Sequence, residues 1–332
     1  MRKLLTLGVV LLLLAGSAAV GYGWIYDKGT PSGRPVQITV NPGDSGGAIA
    51  QELEDKGVVE SGLAFRVFVR ITGANTDLKA GKYTLRTGMP FSELLEVLRK
   101  GPQEKFIRLT IPEGLNLEQI AGVVGEKTHI PAPDFLAAAT PQTVRPSPLP
   151  PDSVNLEGFL YPATYFVSEE ETPTGLVTRM VEEFEERAAE AGLGKDGLDR
   201  TPYEYVIIAS MIEEEAKANE ERGKISSVIH NRLERGIPLG IDATIQYAVK
   251  KYGGEPLTRS DLEIDSPYNS RTRTGLPPTP IASPRLASIK AAIEPESTNL
   301  LYYVLAPDCV HHVFTADYSE FEAAKQRAPD NC

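Results

Sequence analysis

A helix-forming run that is apolar on every side has one place to go, the interior of a folded unit. Val206-Ile207-Ile208-Ala209-Ser210-Met211-Ile212 is such a run, and Glu213, Glu214 and Glu215 follow it directly. The chain must therefore build a core that covers a helix, and must also settle three carboxyls at that helix's end. At about 100° per residue, Glu215 returns to the face of Ile208, Met211 and Ile212. Glu213 and Glu214 swing away from that face and read as neighbours of lesser consequence. A carboxyl held against apolar side chains loses hydration, so its pKa rises and it keeps a proton near neutral pH. That is what a general acid requires. The competing reading is a solvated helix end, because surface runs of like charge are common.

A chain of 332 residues has room for two domains of about 150 residues each. Its net charge of -11 leaves no basic excess to neutralise phosphates, which excludes a general nucleic-acid binder. The same balance disfavours adhesion to anionic lipid beyond what the N-terminus provides. There, Arg2 and Lys3 precede residues 4–26, a stretch without a charge. About 20 apolar residues span a bilayer, and positive charge before the span favours a cytoplasmic N-terminus. Trp24 and Tyr26 stand where interfacial aromatics anchor the outer end. Ala15, Ser17, Ala18 and Ala19 keep a cleaved secretory signal open as the alternative. The expectation is a retained single-pass anchor in the cytoplasmic membrane, with the rest of the chain outside the cytoplasm. An oxidising compartment would permit a Cys309–Cys332 disulfide; two free thiols are the alternative.

Residues 28–35 read as a linker. Strands are expected over 37–40, 81–85 and 108–111, and helices over 45–56, 64–71, 91–99 and 116–125. Strand, Pro-Gly turn and short helix occur after Val40 and again after Ile111, either a degenerate repeat or a chance recurrence. Residues 140–152 hold five prolines and read as a domain boundary. Beyond it, helices are expected over 176–191, 203–217, 225–235 and 242–252, with late strands over 301–304 and 312–315. The fold class is α+β: an anchor over 1–27, a small αβ region over 36–139 and a larger, mainly helical module over 153–332.

Further polar groups fall around the acid. Ile225, Val228, Ile229 and Leu233 form an apolar stripe with Glu221 and Arg232 on the same face and Arg222 close by. Charges inside such a stripe are uncommon unless paired. Either they form a semi-buried network that orients the acid, or they snorkel from the stripe's edges. Asp242, Thr244 and Gln246 open another helix, where capping alone accounts for Asp242. Tyr268, Asn269 and Thr274 lie in a stiff segment with Pro267, Pro277, Pro278, Pro280 and Pro284, suited to sugar binding or to no ligand. No phosphate-cradling loop, zinc-spaced cluster or nucleophile elbow occurs. His311 and His312, adjacent on a strand, point to opposite faces and cannot jointly chelate. No metal or cofactor is called for.

In order along the chain, Ala209-Ser210-Met211-Ile212-Glu213-Glu214-Glu215, Glu221-Arg222, Asn231-Arg232-Leu233, Asp242-Ala243-Thr244, Tyr268-Asn269 and Gly275-Leu276-Pro277-Pro278 closely resemble the MltG (YceG-like) endolytic murein transglycosylases. The resemblance covers nearly the whole chain and implies a LysM-like region before the catalytic one. It implies cleavage of β-1,4 bonds between N-acetylmuramic acid and N-acetylglucosamine within nascent peptidoglycan strands, leaving 1,6-anhydro ends. The family's catalytic acid falls on Glu215. Glu221, Arg222 and Arg232 would then orient it, and Asn231, Asp242, Thr244, Gln246, Tyr268, Asn269 and Thr274 would hold substrate. Implied partners are glycan strands, the membrane and peptidoglycan synthases. The sequence departs from the family where Glu214 replaces a lysine, Ala216 a threonine and Ala243 a proline, and where Cys309-Val310-His311-His312 stands for a Gly-Gly-His stretch. The rival function is a non-catalytic, membrane-anchored peptidoglycan-binding scaffold.

Overall fold

The structure, a computed structural model, describes residues 33–73, 78–102, 105–252 and 255–328. The expected anchor over 1–27, residues 28–32 of the expected linker and Cys332 of the expected bridge lie outside them. Among the described residues no helix is long and apolar enough to cross a membrane. Cys309 is not a free thiol.

The first unit ends at Lys105. Strand β1 (Pro35–Val40) alternates, so that Ile38 and Val40 turn inward. A turn closed by the Asp44 carboxylate, which accepts the Asn41 N–H at 2.7 Å, leads to α1 (Gly46–Asp55). Ser45 caps α1 by accepting the Ala48 N–H, and Ser61 caps α2 (Gly62–Ile71) in the same way through Ala64. The chain returns as β2 (Gly81–Arg86), antiparallel to β1 with Ile38 opposite Tyr83, and closes with α3 (Phe91–Lys100). Leu53, Phe65, Phe68, Leu94 and Leu98 fill the space between sheet and helices.

The second unit begins at Phe106 and repeats that order. Strand β3 (Phe106–Thr110), a turn through Gly114 and helices α4 (Leu117–Lys127) and α5 (Ala132–Ala138) precede β4 (Thr164–Ser168) and α6 (Pro173–Ala191). Strands β3 and β4 pair antiparallel, with Leu109 opposite Tyr165. The recurrence read from the sequence thus extends to strand, two helices, antiparallel strand and helix. This corrects the boundary expected at 140–152. Strand β3 needs a partner, and β4, unassigned in the sequence reading, supplies it from beyond the prolines. The segment between is packed rather than linking: Pro141, Pro146 and Leu149 are buried, and Leu149 joins the larger core.

Nine further elements complete the described part of the unit: α7 (Pro202–Glu215), a 3-10 turn (Asn219–Glu221), α8 (Arg222–Glu234), α9 (Asp242–Val249), the short α10 (Arg259–Leu262), α11 (Leu286–Ile293), the hairpin strands β5 (Tyr302–Leu305) and β6 (His312–Thr315), and α12 (Tyr318–Lys325). Helix α7 is the axis of this unit. Every residue from Tyr205 to Ile212 is buried, with α8, α9 and α11 packed against it. The class is mixed α and β with helices dominant.

Candidate active site

Helix α7 starts firmly. Thr201 and Glu204 form a reciprocal capping box and Pro202 occupies the first turn, the position where its missing N–H costs nothing. Its other end is electrostatically awkward. A helix C-terminus carries partial negative charge, and three glutamates with no basic residue occupy the last turn. Each carboxyl is settled by different means, and the differences define the site.

Glu213 is neutralised by cations. Its side chain is 1% exposed and accepts from Arg285 Nε at 2.8 Å, the Arg285 backbone N–H at 3.0 Å, Ser288 Oγ at 2.8 Å and Arg222 Nη2 at 3.3 Å. Arg285 is the N-cap position of α11, so this carboxylate also sits at a helix N-terminus, where negative charge is favoured. Glu214 has no such partners among the described residues. As a residue it is exposed, yet its carboxyl lies against the backbone of the β3–α4 turn: a Cβ on Gly114 would meet Glu214 Oε1 at 2.6 Å. That desolvation, with the charges of Glu213 and Glu215, pushes it up to about 7.

Glu215 is held from one side by a neutral donor. Tyr303 Oη donates to Glu215 Oε2 at 2.9 Å. Burial pushes the Glu215 carboxyl above its ordinary value; the Tyr303 hydrogen bond opposes the shift, Asp242 adds to it, and His312 and Arg271 oppose it. Burial and the Glu215 charge drive the Tyr303 phenol well upward, so it remains a donor. His312 meets the Tyr303 ring edge-on, with centroids 5.3 Å apart and planes at 83°. Both belong to the late hairpin, where Tyr303 pairs with Phe314 and Leu305 with His312. Glu221 fixes this imidazole: its two oxygens accept the His312 backbone N–H and Nδ1, each at 2.8 Å, with both side chains 8% exposed. Asp242 and Arg271, a half-exposed ion pair at 2.6 Å, lie near enough for their charges to bear on Glu215. The result is one carboxyl with a raised pKa, bonded by Tyr303 and within reach of the charges of Asp242, His312 and Arg271.

A sequence profile described as the YceG-like family matches residues 38–327, spanning every element that builds this arrangement. The chain belongs to the YceG-like family. An endolytic murein transglycosylase of Bacillus subtilis (strain 168) is 32% identical, over 95% of this chain and 91% of that protein. One from Streptococcus pneumoniae serotype 2 is 34% identical, over 89% of this chain but 59% of its own length. A crystal structure of a YceG-like protein from Listeria monocytogenes aligns with a TM-score of 0.59 at 30% identity, covering 88% of this chain and 99% of that one.

Within this YceG-like chain, the structure redistributes the other residues singled out in the sequence. Glu221, Arg222 and Arg232 do not form one network, and Glu221 and Arg222 do not snorkel, being 6% and 3% exposed. Arg222 turns to Glu213 and Ser288. Arg232 donates to the carbonyls of Leu301, Pro238 and Leu239 and lies 5.2 Å over the Tyr302 ring. It therefore braces β5 without touching Glu215. Helical spacing set the three on neighbouring faces of one stretch, but each finds a partner distant in sequence.

Several expected substrate contacts are internal braces instead. Asn231 Nδ2 donates to the Thr298 and Leu300 carbonyls. Thr244, fully buried, bonds the Ile241 carbonyl and Ser270. Asn269, also fully buried, donates to the Leu262 and Ile264 carbonyls. Asp242 is not the cap of α9, since that position falls on Ile241; it pairs with Arg271 and its charge bears on Glu215. Gln246 is half-buried on α9 and Thr274 is exposed on the proline-bearing loop. Tyr268 packs on Tyr247 with centroids 5.0 Å apart and hydrogen-bonds Thr279 at 2.8 Å. Tyr247 in turn donates to Glu157 at 3.0 Å, a buried carboxyl that also accepts the Leu117 N–H and that burial pushes up to about 7.

The residues missed are Tyr303, His312, Arg285 and Ser288. His311 and His312, which cannot jointly chelate from a strand and stand in the stretch that replaces Gly-Gly-His, serve different carboxylates, Asp308 and Glu221. Helix α11 was unassigned, which hid Ser288.

Proposed function

We propose that this chain is a membrane-anchored endolytic transglycosylase of peptidoglycan, with Glu215 as its single acid and base. The observation that carries the reading is the setting of Glu215, a carboxyl at the end of a buried helix, its pKa raised by burial and its Oε2 addressed by the Tyr303 hydroxyl. Such a group protonates the glycosidic oxygen between N-acetylmuramic acid and N-acetylglucosamine as the C1–O bond breaks. The carboxylate then takes the proton of the muramic C6 hydroxyl while that oxygen closes on C1, leaving a 1,6-anhydro end. No water is consumed, and the carboxyl ends as it began. The internal hydroxyl brings the advantage of proximity. The names of the Bacillus and Streptococcus relatives support this chemistry. The uncharged stretch 4–26 supports the anchor, and the strand–helix–helix–strand order of the first unit supports a LysM-like module that holds glycan.

Asp242 favours one other reading, because its charge bears on Glu215 and hydrolytic glycosidases use paired carboxyls. Mass analysis of products from uncrosslinked glycan separates the two. Anhydro ends, one water lighter, support transglycosylation; reducing ends overturn it in favour of hydrolysis. Binding without turnover would make the chain a scaffold.

A further inference from the structure

Helix α2 is apolar on two opposite sides, and the core covers only one of them. Phe65, Phe68 and Val69 enter the first unit's core. Leu63, Val67 and Ile71, one turn apart, are exposed by 68%, 42% and 62%. Arg66 and Arg70 are exposed between them, and the helix contains no acid. At about 100° per residue these five share one face. A groove of about 440 Å³ runs beside it, lined by Leu63, Arg66, Val67, Arg70 and Leu78. In a chain with 45 acids and 34 basic residues, this face reverses the overall charge.

Aliphatic residues with interleaved arginines characterise helices lying in a membrane interface. The arginine stems let guanidinium groups reach headgroups while the apolar side chains sink. The position of the helix in the chain selects this occupant. The uncharged stretch ends at Tyr26, nine residues before β1 begins at Pro35. Nine residues span at most about 30 Å when fully extended. A unit on so short a tether stays beside the bilayer, where an uncovered apolar face meets lipid before it meets a diffusing protein.

We propose that the face of α2 bearing Leu63, Val67 and Ile71 docks on a phospholipid surface, with Arg66 and Arg70 pairing to anionic headgroups. The proposal rests on the membrane anchoring put forward above. It gives the first unit a fixed orientation against the bilayer, so that a glycan strand is met close to where it emerges.

The full-length protein carrying Trp24→Phe and Val67→Trp contains one tryptophan, because Trp24 is the only native one. It is reconstituted into vesicles of phosphatidylethanolamine and phosphatidylglycerol with brominated acyl chains. Docking to a depth of about 5–10 Å shifts the introduced indole's emission to the blue and quenches it. Adding Arg66→Glu and Arg70→Glu restores most of the emission. Solvent-like, unquenched emission overturns the proposal. So does a blue shift without quenching, which places protein over the face, and so does quenching that survives both charge reversals. The unsubstituted chain reports on the anchor through Trp24. If Trp24 is quenched and position 67 is not, docking alone fails; if Trp24 is unquenched, the anchoring fails and takes the docking with it.

Discussion

Glu213 and Glu215 are two residues apart on one helix and occupy opposite electrostatic worlds. The Glu213 side is closed by two arginines, a serine and the start of α11. Glu215 is bonded by a phenol that packs on an imidazole, and opposite charge bears on it from His312 and Arg271 without a direct ion pair among the described residues. A carboxylate surrounded by donors and cations ties the elements that supply them together. A carboxyl that is buried without a direct cation keeps its proton and has it to give. The contrast points to compensation rather than desolvation alone as what separates them: Glu213 is buried and Glu215 half-buried, but only Glu213 is bonded to arginines.

The largest expected effect is on turnover. Glu215→Gln keeps the shape and removes the proton transfer, so anhydro-end release should fall by about 10²–10⁴-fold. The unfolding midpoint at neutral pH should hold or rise, because a carboxyl whose folded pKa is raised costs stability once the unfolded chain ionises. Product mass analysis and denaturant unfolding check the two halves, and wild-type turnover would sink the assignment. Glu213→Gln should show the reverse pattern. Leaving Arg222 buried beside an uncharged amide breaks a buried ion pair, for which the cost is about 3–5 kcal/mol. Urea unfolding measures it, and a change within error would mean that the cations are not relying on Glu213.

Part of this contrast was legible in the sequence. The buried run of α7 and the strand pattern of the first unit follow from local periodicity, and helical register brings Glu215 onto the Ile208 face. Register failed for Glu213, because α7 is covered on all sides and an angular argument discriminates only when one face is open. The partners of both acids were invisible for a different reason. Arg285 and Ser288 approach Glu213 from over seventy positions away, and Tyr303 approaches Glu215 from 88. No local pattern encodes a meeting between a helix end and a distant hairpin. Strand β4 was missed on the same grounds, since its pairing with β3 crosses the proline-dense stretch.

Glu157 extends the comparison to a third buried carboxyl without a cation. Pushed up to about 7, it binds a proton in the folded state that the unfolded chain has released. Stability should therefore fall as pH rises from the ordinary carboxylate range through 7, by about 3 kcal/mol for this group alone. Glu214 and Glu215 titrate upward too, so the diagnostic is the difference between wild type and Glu157→Gln across pH 5 to 8. The variant's curve should be flatter; parallel curves would show that Glu157 is ionised throughout.

The smallest effect sharpens the comparison most directly. Tyr303→Phe deletes the one hydroxyl that addresses Glu215 Oε2 and leaves the ring that packs on His312. The hydrogen bond favours the ionised form, so its loss should raise the Glu215 pKa further. The alkaline limb of turnover should move to higher pH, while the maximal rate changes less than in Glu215→Gln. If the limb stays put while the rate falls, Tyr303 acts on the substrate instead. Burial would then set the Glu215 pKa without measurable opposition from Tyr303, and the distinction between the two sides of α7 would rest on the arginines around Glu213.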